Sequence, residues 1–213
     1  MRVHFNWYGF EFQNAVQGLW DGYSAANLGL EDQRNHAYNS IDDYDTRRDQ
    51  GQLEPFEADE ISENGFVRQS YREFLVYRAH NLENQAHDLR LAYSLMLYHQ
   101  WERSARSWVK HDHGSFEGLK SRVKARGIFV DPALDDLHVL VNLLKHNNAK
   151  HGQKLSIARP DLFGDSDVSD MTHRDWFSGV EVSHHALEVF FMVVKNSGPD
   201  SSSEIWEQGE APF

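Results

Sequence analysis

Residues 75–108 read LVYRAHNLENQAHDLRLAYSLMLYHQWERSARSW, and their pattern decides the fold class. Leu75, Leu82, Leu89 and Met96 recur every seven residues, with Ala79, Ala86 and Tyr93 four residues after the first three. Two apolar residues per heptad is the signature of a helix with one buried seam. From Leu91 a second stripe joins it: Leu91, Leu95, Tyr98, Trp101, Ala105 and Trp108. A helix apolar on two sides has neighbours on both. The spacing predicts one long central helix over about 62–110, bent or broken near Asn81–Asn84 and ended by the HDHG of residues 111–114.

Working outward, helical spacing of Phe12, Ala15, Val16, Leu19, Trp20 and Tyr23 predicts a helix over 11–25. Val3, Phe5 and Trp7 alternate as a short strand would, and 24–35 read as loop. Residues 34–50 make at best a weak polar helix, and 51–60, with Gly, Pro and acids, a connector. Ser115 is placed to cap a helix over 116–126 that Gly127 stops. Asp131-Pro132 opens the next helix, expected to bury Leu134, Leu137, Leu140, Val141 and Leu144. Residues 159–167 read as loop, Ser183 caps a last helix closed by Ser197-Gly198-Pro199, and a flexible tail follows. The fold expected is an all-α bundle of five or six helices: residues 1–60 as an N-terminal helical decoration, 61–198 as the core, 199–213 as tail.

Composition limits function. The 213 residues carry a formal net charge of −12, a poor basis for bulk binding of polyanions, although a local basic patch is compatible with it. With no cysteine there are no disulfides and no thiolate metal sites. No apolar run approaches the ~20 residues of a membrane span, and the first residues lack the pattern of a signal peptide. The expectation is a cytoplasmic protein without membrane attachment. Thirteen histidines raise the question of metal. His80, Glu83 and His87 lie opposite the heptad seam, as a solvated face would, and His111-Asp112-His113 and His184-His185 are short local clusters. No cofactor or metal is expected.

The chemistry-bearing stretch is LHVLVNLLKHNNAKHG, residues 137–152. On a helix, His138, Asn142, Lys145 and His146 share the face opposite the leucines, with Asn142 and His146 one turn apart. Leu140 to Asn148 resembles the motif of HEPN domains, all-α bundles found in prokaryotic conflict systems and RNA processing, with an arginine, a polar residue and a histidine near a helix end. Asn142 matches the polar residue, His146 the histidine and Asn147 the residue often found after it, whereas Val141 stands where the arginine should be. Tyr98-His99-Gln100-Trp101-Glu102 and Arg159-Pro160-Asp161-Leu162-Phe163 are similar to segments of bacterial helical proteins that imply no activity.

The resemblance implies a homodimer that binds or cleaves RNA or nucleotides without metal, in a bacterial toxin or phage-defence system. His146 would be the acid/base, since histidine titrates near neutrality. Asn142 and Lys145 would support it, and Glu102 would orient His146 or Lys145. The cation that Val141 cannot supply would come from Lys145, Arg103, Arg106 or Arg159, and a second frame pairs Lys145 with His151. Two other readings stay open. One is a non-catalytic protein-interaction module that keeps the fold. The other is a metal-dependent hydrolase built on His and carboxylates.

Overall fold

Between residues 7 and 49 there is no proline, and side chains one turn apart support each other along the way. Gln17 donates to Asp21 at 2.9 Å, Asn27 to Glu31 at 2.8 Å and Arg47 to Asp43 at 2.8 Å, and His36 lies 3.7 Å from Asp32. Such pairs favour helix even where the apolar stripe is thin. In the computed structural model, which describes residues 5–61, 67–110, 114–164, 168 and 176–203, they form a single helix α1, Trp7–Asp49. The expected loop at 24–35 is therefore helix, and the weak polar helix is its continuation. Trp7 opens α1, so it belongs to no strand; residues 1–4 lie outside the described set.

The second long helix, α2, is Tyr71–Val109 and runs unbroken through Asn81–Asn84. It starts later than expected because β1 (Glu60–Ile61) pairs antiparallel with β2 (Val67–Gln69), and the two form a minimal ribbon, the only strands among the described residues. A 3-10 turn, Pro55–Glu57, precedes the ribbon. Lys110, with φ 50°, leaves the helical region just after α2. The expected stop at 111–113 lies outside the described residues.

Four shorter helices follow. They are α3 (Phe116–Ala125), α4 (Leu134–His146), α5 (Ala149–Ala158) and α6 (His184–Asn196). Their caps obey local rules. Ser115 Oγ accepts the Gly118 N–H, and Ser183 Oγ accepts the Ala186 N–H. Gly127 takes φ 77° just past α3. Asp131 Oδ1 accepts the Ala133 N–H and starts the turn that leads into α4. The helix α5, absent from the sequence expectation, begins where Asn148 Oδ1 accepts the His151 N–H.

The residues divide into two compact units, and α1 and α2 contribute to both. One unit, 24–89, is an antiparallel pairing of the later part of α1 with the early part of α2. Arg72 holds the Asp45 carboxylate at 2.9–3.1 Å, and Tyr38 reaches Glu83 at 2.5 Å. Between them lie Ala37, Ile41, Tyr44, Leu75, Ala79 and Leu82. Arg47 grips the buried Glu57 carboxylate with two bonds, and it holds that carboxyl below its usual range. The expected boundary near residue 60 falls within this unit.

The other unit comprises 1–23 and 90–213, of which 5–23, 90–110, 114–164, 168 and 176–203 are described. Here the second stripe of α2 takes over: Leu91, Tyr98, Trp101, Ala105 and Trp108 are buried, but Leu95 only partly so and Leu97, outside the stripe, is buried instead, while Met96 of the heptad seam is exposed. A seven-residue repeat drifts ~20° per heptad around a straight helix, so the seam passes off the buried side. Leu137, Leu140 and Leu143 of α4 and Leu187, Phe190 and Val194 of α6 complete the core, with Phe12 edge-on to Trp108 at 5.0 Å.

Ser197, just after α6, pins three elements. Its buried hydroxyl donates to the Val193 carbonyl at 2.7 Å and accepts the Asp131 N–H at 3.0 Å. Its carbonyl accepts the Trp101 indole N–H at 2.7 Å. Ser197→Ala leaves the Asp131 N–H without its acceptor, at a cost of about 1–3 kcal/mol. Urea denaturation should show a lower midpoint with unchanged slope.

Candidate functional site

The site is built on the α4–α5 hairpin. Helix α4 is buried nearly all round: Leu134, Leu137, Val139, Leu140, Val141 and Leu143 are inside. Val141 is only 1% exposed, so the position of the missing motif arginine faces the core. The polar residues of α4 are held in fixed arrangements. Asn142 Nδ2 donates to the His138 carbonyl at 3.0 Å and to His138 Nε2 at 3.0 Å. His138 Nδ1 lies 3.4 Å from the same amide and shares a hydrogen bond with Tyr98 Oη at 2.8 Å. The imidazole also stacks on Phe116, with centroids 3.9 Å apart and planes at 9°. Burial lowers the His138 pKa, which nearby Glu102 opposes, and burial raises that of Tyr98. His138 is a neutral, positioned group, and Asn142 turns back toward it rather than forward to His146.

His146 is exposed in the last turn of α4, beside exposed Lys145, and makes no hydrogen bond among the described residues. Asn147 follows in the left-handed region at φ 41°, its N–H bonded to Leu143 O at 2.8 Å. A short polar side chain suits that conformation. Asn147 Oδ1 accepts the Phe177 N–H at 3.0 Å and so ties the 176–179 turn to the hairpin. Gly152 serves the same join: a Cβ there would lie 2.1 Å from the Trp176 ring. His151 Nδ1 and Trp176 Nε1 are buried without a hydrogen-bond partner among the described residues.

Helix α5 returns antiparallel to α4, with Lys154 and Arg159 near Asp136, and His151 and Lys154 near His138. Burial and then the charges of Lys150, His146 and Lys154 lower the His151 pKa. Lys145, Lys150 and Lys154 form no salt bridge among the described residues. The sequence carries a signal for this edge that residue-by-residue inspection misses. Between Leu137 and Pro160 there is no Asp or Glu, in a chain with 33 of them, and that stretch holds three lysines, one arginine and three histidines. Lys150 and Lys154 are the cations missed.

The remaining candidates lie elsewhere. Glu102 accepts from Arg106 at 2.8 Å and stands 3.5 Å from His99, all on α2. Burial is the largest single influence and opposes its charge, but the bond to Arg106, the Arg106 charge and His99 together lower the Glu102 pKa. Arg103 bonds Gln100. Glu102, Arg103 and Arg106 line an open groove with Leu19, Met96 and His99, and none of the groove's residues belongs to α4. Glu102 thus engages its own helix rather than His146 or Lys145. Arg159 is locked to Asp161 by two bonds at 2.8 and 2.7 Å and lies over the Phe190 ring, so its guanidinium does not hydrogen-bond His146. Among the described residues no group of three or more His, Asp or Glu is arranged to hold a metal ion, and His111-Asp112-His113 falls outside them. No helix is long and apolar enough to cross a membrane among the described residues.

His138 and His151 both have lowered pKa values in the fold, so the unfolded chain binds more protons near its ordinary histidine value of ~6.5. Their contribution to stability is fully present above ~6.5 and is lost as pH falls toward the folded values. The paired carboxylates, such as Glu102 and Asp161, are lowered too, and their contribution is lost only at more acidic pH. Thermal melts should show a falling midpoint between pH 7.5 and about 5. His138→Gln should flatten part of that fall.

No family model, no curated protein and no solved structure matches the chain.

Proposed function

We propose that this chain is a HEPN-like helical protein that binds RNA or nucleotide phosphates through the α4–α5 edge. The observation that carries the reading is that Lys145, Lys150 and Lys154, all exposed on the α4–α5 hairpin, form no salt bridge among the described residues, in a chain of net charge −12. Lysines released from carboxylates are free to replace counterions on phosphates. A local patch of this kind gives binding despite an acidic whole, because exposed charges beyond about 8–10 Å are largely screened at physiological salt.

The geometry supports binding more than cleavage. Strand scission by the HEPN-like route needs a fixed cation beside the acid/base. Val141 is inside the core, and Arg103, Arg106 and Arg159 are hydrogen-bonded to Gln100, Glu102 and Asp161. His146 retains the exposure an acid/base requires, but the cation beside it is the exposed Lys145, which no salt bridge or hydrogen bond among the described residues holds in place. As a HEPN-like chain it would work as a homodimer in a bacterial conflict system.

A second reading, a protein-interaction module, is favoured by an exposed aromatic patch at the start of α1. Phe5, Trp7 and Phe10 are 45%, 59% and 39% exposed, with ring centroids 5.4–5.9 Å apart. Clusters of this type mark protein contacts.

Fluorescence anisotropy with labelled RNA separates the readings. The wild type should bind with a salt-dependent affinity. Lys145→Glu with Lys150→Glu should weaken binding at least ~10-fold and reduce the salt slope by about 2. Trp7→Ala should leave RNA binding unchanged. Gel assays with wild type and His146→Ala, with and without chelator, should show no cleavage in either. Chelator-insensitive cleavage lost in His146→Ala would overturn the binding-only assignment, and absence of RNA binding by the wild type would favour the interaction module.

A further inference from the structure

The turn that Asn147 holds against the hairpin carries Phe177, whose side chain is exposed although the neighbouring Trp176 is buried. Phe177 is 42% exposed, and its backbone N–H is fixed 3.0 Å from the Asn147 side chain, one residue after His146. The turn cannot slide easily. Trp176 is seated flat on Gly152, where even a methyl group would collide with its ring, and the Val180 N–H bonds the Phe177 carbonyl at 3.3 Å. An exposed aromatic ring on a braced turn loses little entropy when a ligand stacks on it. Asn147 in turn lies in the chain between Lys145 and His146 of α4 and Lys150 of α5, all of them outside the core.

An aromatic face next to unpaired lysines is the combination that binds single-stranded nucleic acid: cations follow the backbone and the ring stacks an unpaired base. In a duplex the bases are already stacked on one another and present only edges and backbone, so the ring adds nothing there. Simple polyanions engage the lysines alone. Building on the phosphate-binding reading above, we infer that the α4–α5 edge and Phe177 form one site for single-stranded RNA, with Phe177 stacking a base while Lys145 and Lys150 hold the adjoining phosphates.

The test uses the full chain and three probes: a labelled single-stranded adenylate 12-mer, a blunt RNA duplex of equal length and inorganic polyphosphate. The single strand should bind at least ~10-fold more tightly than the duplex. Phe177→Ala should weaken binding of the single strand about 5- to 100-fold and leave polyphosphate binding unchanged, and Phe177→Tyr should retain wild-type affinity. If Phe177→Ala binds the single strand like wild type, while Lys145→Glu with Lys150→Glu loses it, the stacking role is overturned and the phosphate-binding reading survives. Equal loss of polyphosphate binding in Phe177→Ala assigns the residue to holding the hairpin and also overturns it. If the wild type binds none of the three probes, both readings fall.

Discussion

The hydroxyl and carbonyl of Ser197 set the register of the unit that holds the candidate site. One buried residue joins the end of α6 to the entry of α4 through Asp131 and to the middle of α2 through Trp101. Buried polar groups must be paired, so each of these bonds admits one arrangement of its partners. The surroundings repeat the constraint. Gln13 of α1 donates to the Lys195 and Pro199 carbonyls, and Gly198 is so close to Phe12 and Trp108 that a Cβ would lie 2.2 Å from the Phe12 ring. With its N-terminal end fixed here, α4 has a fixed rotation, and that rotation decides which residues face inward.

The consequences run along α4. Val141 is turned into the core, His138 and Asn142 lie at the edge of the packing, and Lys145 and His146 emerge at the exposed end. A half-buried imidazole must be neutral or paired. Burial lowers the His138 pKa, and its ring lies between Tyr98 and Asn142, which makes Asn142 its partner. Cationic character therefore collects beyond the buried part of the helix, where Asn147 reverses the chain and Asn148 caps its return. Two adjacent asparagines, one left-handed and one an N-cap, build the tightest turn in the site. Lysines from both helices are thereby gathered around one edge.

Much of the helical framework was legible because helix ends carry their own chemistry. Ser115, Gly127, Asp131 and Ser183 act on backbone groups within four residues, and no distant contact is needed to read them. The second stripe of α2 was legible because Tyr98, Trp101 and Trp108 repeat at helical spacing. The long α1 was not, since its polar middle is held by side-chain pairs one turn apart and, at Asp45, by Arg72 from a helix 27 residues away. The short α5 was obscured for a related reason. Its buried residues are Gly152 and Leu155, and its packing rests on the absence of a side chain at Gly152 under Trp176.

The candidate site divides in the same way. Sequence alone determined that the fold is built of helices, that His138, Asn142, Lys145 and His146 follow one side of one helix, and that no acid interrupts residues 137–160, because helical period and composition are local properties. Tertiary structure alone decided that Asn142 serves His138 rather than His146, that Glu102 stays on its own helix with Arg106, that Arg159 is bonded to Asp161, and that the Phe177 N–H is held by Asn147. Those outcomes depend on burial and on which hydrogen-bond partner is within about 3 Å, and helix packing sets such distances between residues that are remote in the chain.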